Sequence, residues 1–444
     1  MRGLRTFLGL VIVLVALGSY LYFVESKRTP ADDTPKKEKV FAVEADKIEE
    51  ISIKAENGEQ TTLRKANAEW QIVAPEAAKP DSAEVSGLTS NLSTLEMQSV
   101  VDENAADLKE YGLAQPRVQV TFKAGGKDQT LQIGQKTPPG SDYYARRGNE
   151  NKVFLIASYL DSTFNRKPFD LRDKSAVRLE RDKLDAIEIV SADRTTRFAK
   201  ANGEWLMTSP GNARADFGAV EGLIGRLSGL QMKSIAAPDA AELKKFGLDK
   251  PAATVRLGTG SSQAALVFGS KAEDGVYARD QSRPMVFVVD GSLLEELKKD
   301  PFEFRQKDLF DARSFNSTRL EIARGGQTQV FERTKVKNKE GQEEEKWRQV
   351  SPQARDLDAN KVEALLSAIT GAQATAFGAA GAKAALEKPE LTVAIKYDDG
   401  KKEDRVTFAR SGAAAYAARA ADPSPATVNV ATLDSIVKAL EELK

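Results

Sequence analysis

The sequence predicts an α+β protein with three tandem mixed α/β repeats, each an antiparallel sheet with packed helices, after a single N-terminal transmembrane helix. Three observations predict this: a tryptophan-centred frame that recurs, alternating apolar strands after each copy of it, and one uncharged apolar run near the N-terminus. The 444 residues are about three times the ~150 expected of one domain. A content of 41% hydrophobic and 29% charged residues is typical of globular chains.

The N-terminal run is the first element. Residues 6–24 contain no charged side chain, and a helix of about 20 such residues can cross a bilayer. We predict a cytoplasmic N-terminus at 1–5, a transmembrane anchor at 6–24 and a charged, proline-bearing spacer at 25–39. A cleaved signal peptide is the alternative. Either way, the bulk of the chain is expected outside the cytoplasm, in a periplasmic location beside the inner membrane.

The recurring frame starts at each of the three tryptophans of the chain, which are 135 and 142 residues apart. A proline follows five residues after each tryptophan and an aspartate eleven residues after it. The frame residues are Trp70, Pro75 and Asp81; Trp205, Pro210 and Asp216; and Trp347, Pro352 and Asp358. Apolar residues at helical spacing follow every aspartate. This register predicts three repeats, at 40–174, 175–312 and 313–444.

Each part of the frame has a physical role. The proline ends a β-strand because it cannot donate to the ladder, and the aspartate is suited to cap the following helix. We therefore expect each tryptophan to be mostly buried between the sheet and the helix of its own repeat. A catalytic role for the aspartates is the alternative, and it is the less economical one because capping explains all three.

A second shared segment follows the helix. Residues 108–113 and 243–248 both place a glycine between an aromatic residue and a leucine, and Pro116 and Pro251 follow them. A glycine in the left-handed conformation followed by a proline is typical of the end of a short helix. The third copy keeps the proline, Pro389, but has no glycine at this step.

The third strand after this segment carries the polar residues that we consider candidates for contact with a ligand or partner. These are Tyr144 and Arg146 in the first repeat and Tyr277 and Arg279 in the second. The alternative is a sheet face on which each arginine pairs with a nearby acid. A fourth apolar strand and a closing helix complete each predicted repeat.

The composition excludes most catalytic chemistries. The chain has no histidine and no cysteine, so it has no Ser-His-Asp triad, thiol nucleophile or cysteine-ligated metal. Its 65 basic and 65 acidic residues cancel, which disfavours nucleic-acid binding. The segments 258–260, 356–367 and 435–438 only partly match phosphate-loop, calcium-loop and Ser-x-x-Lys motifs. We predict no catalytic residue, no cofactor, no metal and no enzymatic activity.

The tryptophan frame and the glycine-leucine step, in tandem behind one membrane helix, resemble bacterial proteins with the domain of unknown function 4340. Nearly the whole chain after the spacer shows this resemblance, and copies one and two show it most clearly. The resemblance implies an accessory or scaffolding protein beside an ABC-type exporter, some relatives being of the gliding-motility type. It implies envelope proteins as partners. A binding module for cell-wall or polysaccharide ligands is the alternative, and a carboxylate-based hydrolase is a more distant one.

Overall fold

The computed structural model describes residues 37–138, 140–192, 194–337, 343–420, 422 and 424–443, together with Ser19. It divides into two compact units, Met1–Asp173 and Lys174–Lys444. No helix in the described ranges is long and apolar enough to span a membrane. The predicted N-terminus, anchor and spacer lie outside those ranges, except for Ser19 and residues 37–39. The first unit contains repeat 1, and the second contains repeats 2 and 3 together.

Repeat 1 forms an antiparallel sheet with helices. Its strands are β1 (Ile48–Lys54), β2 (Gln60–Ala66), β3 (Glu69–Ala74), β4 (Ser99–Asp102), β5 (Val118–Ala124), β6 (Lys127–Lys136), β7 (Tyr143–Arg147) and β8 (Val153–Ile156). Its helices are α1 (Ser82–Thr94), α2 (Tyr159–Phe164) and α3 (Pro168–Leu171). The segment that ends at Gly112, predicted as a short helix, forms turns instead.

Repeat 2 has the same order of elements. Its strands are β9 (Ala186–Ser191), β10 (Arg194–Ala201), β11 (Glu204–Ser209), β12 (Ala213–Arg214), β13 (Met232–Ala237), β14 (Ala253–Thr259), β15 (Ser262–Ala272), β16 (Gly275–Asp280) and β17 (Val286–Val289). Its helices are α4 (Phe217–Ser228) and α5 (Ser292–Leu297). Short 3₁₀ helices at Leu243–Phe246 and Pro301–Phe304 occupy the two segments that the sequence shares with repeat 1.

Repeat 3 follows the same plan with a longer second hairpin. Its strands are β18 (Ser317–Arg324), β19 (Gln327–Lys337), β20 (Glu343–Ser351), β21 (Arg355–Asp356), β22 (Ala374–Phe377), β23 (Leu391–Tyr397), β24 (Lys402–Ser411), β25 (Ala414–Arg419) and β26 (Ala426–Val428). Its helices are α6 (Ala359–Thr370), α7 (Ala382–Leu386) and α8 (Val430–Glu441).

One strand order describes all three sheets. In repeat 1 the order is β3-β2-β1-β5-β6-β7-β8-β4, and repeats 2 and 3 add β12 or β21 outside the third strand. The two meanders of a repeat are joined through their first strands, as in the antiparallel pair β1–β5. The expected α+β class, with antiparallel sheets and packed helices in tandem, is therefore what the described residues show.

The sequence did not predict the strand that follows the first helix of each repeat. This strand is β4, β13 or β22, and it pairs with the last strand of the sheet to form its far edge. In repeat 1 it is four residues long, and Val100 and Val101 are both exposed, so it lacks the alternation that marks a half-buried strand.

The main core lies between one sheet face and the helices. In repeat 1 it contains Phe41 and Phe122, whose rings meet edge to face with centroids 4.9 Å apart. In repeat 3, Leu365 of α6 and Ile436 of α8 are fully buried in the same cluster. The apolar stripes predicted from helical spacing therefore face the core, and their burial accounts for the position of the helices.

Candidate functional site

The three frame aspartates cap helices. The Asp81 carboxylate accepts hydrogen bonds from the backbone N–H groups of Ala83 (2.8 Å) and Glu84 (3.2 Å) at the start of α1. Asp216 accepts from the N–H of Ala219 at 2.7 Å, and Asp358 caps α6 in the same way as Asp81. These bonds satisfy amide groups that lack a partner within the helix, so the aspartates have a structural role.

The prolines of the frame share a feature that the spacing did not predict. The peptide bonds before Pro75, Pro210 and Pro352 are all cis. Each proline directly follows the last residue of the third strand, β3, β11 or β20, as the sequence predicts.

The tryptophans of the frame differ from one another. Trp205 is 3% exposed and Trp347 is 7% exposed, and both are core residues as predicted. Trp70 is intermediate in exposure and packs against the core of repeat 1, so it is mostly buried as predicted, but less completely than the other two. On the facing helix, Glu221 accepts a hydrogen bond from the Trp205 indole Nε1–H at 3.0 Å, and Ser86 is the residue at the same position in repeat 1.

The candidate tyrosines pack against the two glycine-leucine segments, residues 108–113 and 243–248. The Tyr144 ring meets the Tyr111 ring edge to face at 5.1 Å, and the Tyr277 ring meets the Phe246 ring at 5.0 Å. These pairs belong to small apolar clusters separate from the main core cluster. Tyr144 and Tyr277 thus help to hold the glycine-leucine segment in place.

The candidate arginines have different surroundings. Arg146 donates from Nε to the Gln132 side-chain oxygen at 2.5 Å, across the β6–β7 pair. Arg279 faces Val267 in the equivalent pair, and its buried Nε has no hydrogen-bond partner in the part of the chain that the structure describes.

Repeats 2 and 3 meet through the segment that ends repeat 2. The rings of Phe302 and Phe377 lie 5.3 Å apart, and the Arg305 guanidinium lies 3.4 Å from the centroid of Phe377. Arg305 also pairs with Asp422 at 2.8 Å, and both side chains are largely buried. The edge strand β22 of repeat 3 therefore receives an aromatic-arginine segment of repeat 2.

The corresponding position in repeat 1 can be found by counting. The chain that enters a repeat forms an isolated bridge with Glu96 in repeat 1 and with Gln373 in repeat 3. Four residues later lie Val100 and Phe377 respectively, so Val100 corresponds to the aromatic residue that contacts repeat 2.

The acidic partner has a counterpart as well. Asp422 lies six residues after Tyr416, the tyrosine of the third strand in repeat 3. Six residues after Tyr144 in repeat 1 is Glu150, an exposed glutamate that pairs with Arg147 at 2.8 Å. The acidic charge that binds Arg305 in repeat 3 is thus present in repeat 1.

This edge of repeat 1 is exposed to solvent. Val100 is 40% exposed and Val101 is 42% exposed. Residues 32–36 precede Lys39 by the same number of residues as Pro301–Arg305 precede Asp308; they read Asp-Asp-Thr-Pro-Lys and contain no aromatic residue. We call Val100, Val101 and Glu150 the free face of repeat 1. Sequence reasoning missed it, although the offset from the third-strand tyrosine was a usable signal for Glu150.

Two carboxylates lie close together beside this interface. Arg419 pairs with both Asp311 and Asp404, and Asp404 also accepts from the backbone N–H of Ala312 at 2.9 Å. Burial, together with Asp404, raises the pKa of Tyr397 to about 12. These contacts tie the end of repeat 2 to the sheet of repeat 3. No cluster of three or more acidic residues in the described ranges is arranged to hold a metal ion.

The three partial motifs also have structural roles. Gly260 belongs to the β14–β15 hairpin turn, where its N–H donates to Asp185 at 2.9 Å. Asp356 pairs with Arg348 at 2.7 Å. Ser435 donates to the Ala431 carbonyl within α8 at 2.8 Å.

The fold and these contacts define a class of protein: tandem antiparallel sheets with packed helices, joined by an aromatic-arginine interface in the second unit. A sequence model of the domain of unknown function DUF4340 matches residues 70–204 and again residues 205–393, and the two matches begin at Trp70 and Trp205. The chain belongs to the DUF4340 family.

Other comparisons add no functional assignment. No curated protein matches the chain. Among solved structures, a DNA polymerase sliding clamp from Pseudomonas aeruginosa with ligand matches with a TM-score of 0.18, at 9% identity over 88% of this chain and 93% of that chain. A DnaN sliding clamp from the same organism bound to griselimycin matches with a TM-score of 0.16, at 8% identity over 88% and 94%. Scores this low support no argument about fold or function.

Proposed function

We propose that this protein is a membrane-anchored, extracytoplasmic scaffolding protein of a bacterial envelope system, beside an ABC-type exporter, and that it has no enzymatic activity. The uncharged run at residues 6–24 supports the anchor. The family resemblance supports the exporter context. In this proposal, repeat 1 binds a partner protein through its free face.

The observation that carries the proposal is the correspondence between the two edge strands. The edge of repeat 3 receives Phe302 and Arg305, which fit against Phe377 and Asp422. Repeat 1 offers exposed valines and Glu150 at the corresponding positions. Exposed apolar side chains beside a charge are typical of a surface that binds another protein. The partner is expected to present an aromatic side chain and an arginine spaced like Phe302 and Arg305.

A peptide tests this directly. A labelled peptide with the sequence of residues 299–308 should bind the full-length protein saturably. It carries the aromatic and arginine side chains that contact the corresponding edge of repeat 3. Binding is measured by fluorescence anisotropy. The same peptide with Phe302→Ala and Arg305→Ala should not bind, since it lacks the Phe302 ring and the Arg305 guanidinium that make the contacts in repeat 3.

Variants of the protein locate the binding surface. Val100→Asp with Val101→Asp should abolish peptide binding, and Glu150→Lys should weaken it and be rescued by a peptide with Arg305→Glu. Val350→Asp, at a valine of repeat 3 with the same 40% exposure, is the matched control and should bind normally. Equal binding by all variants, or no binding by the unmodified protein, would contradict the partner-binding surface.

The proposed location needs a separate test. The full-length protein should fractionate with membranes, keep its original N-terminus and be degraded by protease added to spheroplasts. Detection of a shortened chain in the soluble periplasmic fraction would favour the cleaved signal peptide, and protease protection would contradict an extracytoplasmic location.

One observation favours the second candidate, a cell-wall or polysaccharide binding module. Trp70 is partly exposed beside a groove, and a partly exposed aromatic ring is suited to stacking against a sugar ring. Sedimentation with purified cell wall would test it. Trp70→Ala should reduce binding if this function is correct, whereas Tyr159→Ala, at an exposed tyrosine elsewhere in repeat 1, should not.

A further inference from the structure

A groove of about 630 Å³ lies between β3 and α1 of repeat 1. Trp70 and Ile72 line it from the strand, Ser82, Val85 and Ser86 line it from the helix, and Lys79 lies on the connecting loop. The groove therefore combines an apolar wall with hydroxyl and ammonium donors.

Repeat 2 shows what occupies the equivalent place there. The Glu221 carboxylate on α4 accepts from the Trp205 indole N–H at 3.0 Å and pairs with Arg181 at 2.9 Å. The Lys200 ammonium lies 5.5 Å from the centre of the same indole. The hydrogen bond from Trp205 and the pairing with Arg181 hold the pKa of Glu221 below its usual value. An ionised carboxylate thus fills this position in repeat 2.

Repeat 1 lacks that carboxylate. Glu221 lies sixteen residues after Trp205, and the residue sixteen after Trp70 is Ser86. Repeat 3 has a glutamate, Glu363, at this position. Among the residues that the structure describes, none accepts a hydrogen bond from the Trp70 indole N–H. The short serine side chain leaves space where the glutamate of repeat 2 would lie.

We propose that this groove binds a ligand that carries a carboxylate on an apolar body. The carboxylate takes the place of the Glu221 side chain and accepts from the Trp70 indole N–H, Ser86 and Lys79. The apolar body packs against Ile72 and Val85, which are buried at the base of the groove. Glu69 also lines the groove, so recognition depends on these donors rather than on net charge. A free carboxylic acid and an acidic residue of a peptide share this chemistry.

The test uses full-length protein with ¹⁵N-labelled tryptophan indoles. The chain has three tryptophans, so three indole N–H signals are expected, and Trp70→Phe identifies the signal of interest. The probes are 4-methylpentanoate and its amide, and acetyl-Leu-Glu-Leu-amide with its Gln counterpart. Both carboxylate probes should shift the Trp70 signal saturably. The matching amide and the Gln peptide should each bind at least about tenfold more weakly. A shift with the peptide alone would identify a peptide as the source of the carboxylate.

A filled groove provides the second measurement. Ser86→Glu should supply the missing carboxylate internally, move the Trp70 signal in the free protein and abolish the response to every probe. Ser90→Glu, at an exposed serine one turn further along α1, is the matched control and should leave the response intact. The proposal is overturned if the carboxylates leave the Trp70 signal unchanged, or if Ser86→Glu binds them as well as Ser90→Glu does. A negative outcome here would not contradict the proposed partner binding at the free face of repeat 1, because that proposal is tested separately by peptide binding.

Discussion

At the scale of the residue, Asp216 determines where a helix begins. Its carboxylate accepts from the Ala219 N–H at 2.7 Å, and an asparagine side chain can accept the same bond. Asp216→Asn should therefore be nearly neutral, whereas Asp216→Ala should lower the free energy of unfolding by about 0.5–2 kcal/mol. Urea unfolding of the two variants measures this difference. If Asp216→Asn leaves stability unchanged, as expected, but abolishes the function of the protein in the cell, Asp216 does more than cap the helix.

The Glu221 carboxylate should make stability depend on pH. Its folded-state pKa is lowered by the hydrogen bond from Trp205, so folding favours the ionised form. The stabilisation is present above the usual value of 4.5 and is lost as the pH falls through the lower folded-state pKa. Wild type should be more stable than Glu221→Gln at neutral pH, and the difference should shrink below pH 4.5.

Urea midpoints of both proteins between neutral and acidic pH measure this effect. Glu363→Gln is the matched control, because Glu363 is exposed and no described residue pairs with it. A constant difference between wild type and Glu221→Gln across the acidic range would show that the charge of Glu221 does not stabilise the fold.

At the scale of the element, each glycine-leucine segment (residues 108–113 and 243–248) packs against a bulge in a neighbouring strand. Gly247 has a φ of +67°, and a Cβ at Gly269 would lie 2.1 Å from the Phe246 carbonyl oxygen. The β15–β16 register shifts at this point. Repeat 3 has Ala385 at the position of Gly247 and Ala409 at the position of Gly269, and its β24–β25 register is continuous. Repeat 3 therefore lacks both the glycine of the segment and the glycine of the strand that packs against it.

Gly269→Ala should destabilise the protein by about 1–3 kcal/mol, because the methyl group would force the strand away from the Phe246 carbonyl. Gly222→Ala on α4 is the control, since no atom lies within 4 Å of its added Cβ. That substitution should be neutral or stabilising by up to ~1 kcal/mol. Denaturant unfolding compares the two, and equal stabilities would mean that the close approach is not constraining.

At the scale of the whole molecule, Arg305 couples repeats 2 and 3. It is 10% exposed at its side chain, lies on Phe377 and pairs with Asp422. Arg305→Ala leaves a buried carboxylate without its partner, and such a loss typically costs about 3–5 kcal/mol. The variant should unfold at lower temperature and separate the unfolding of the two repeats. Calorimetry of the full chain measures both effects.

The control for that experiment is Arg405→Ala, which removes an exposed pair with Glu403. Exposed pairs contribute about 0–1 kcal/mol, so this variant should melt close to wild type as a single unit. If both variants melt alike, the contacts of Arg305 do not couple the repeats.

The sequence by itself determined the number of repeats, the tryptophan-proline-aspartate frame and the helix that begins after each aspartate. A cap and an apolar helical stripe depend on residues a few positions apart, so their pattern is visible along the chain. The glycine of the glycine-leucine step was predictable for the same reason, and Gly112 and Gly247 both have a φ of +67°.

Only the tertiary structure decided how the two meanders of a repeat join, that β4 forms the far edge of its sheet, and that repeats 2 and 3 form one unit. It also decided that Trp70 lines a groove whereas the Trp205 indole N–H is bonded to Glu221 of the facing helix. Pairing across a sheet and contact between repeats depend on which side chains meet after folding. Local periodicity carries no information about such contacts, since a strand shows its own alternation but not its neighbour.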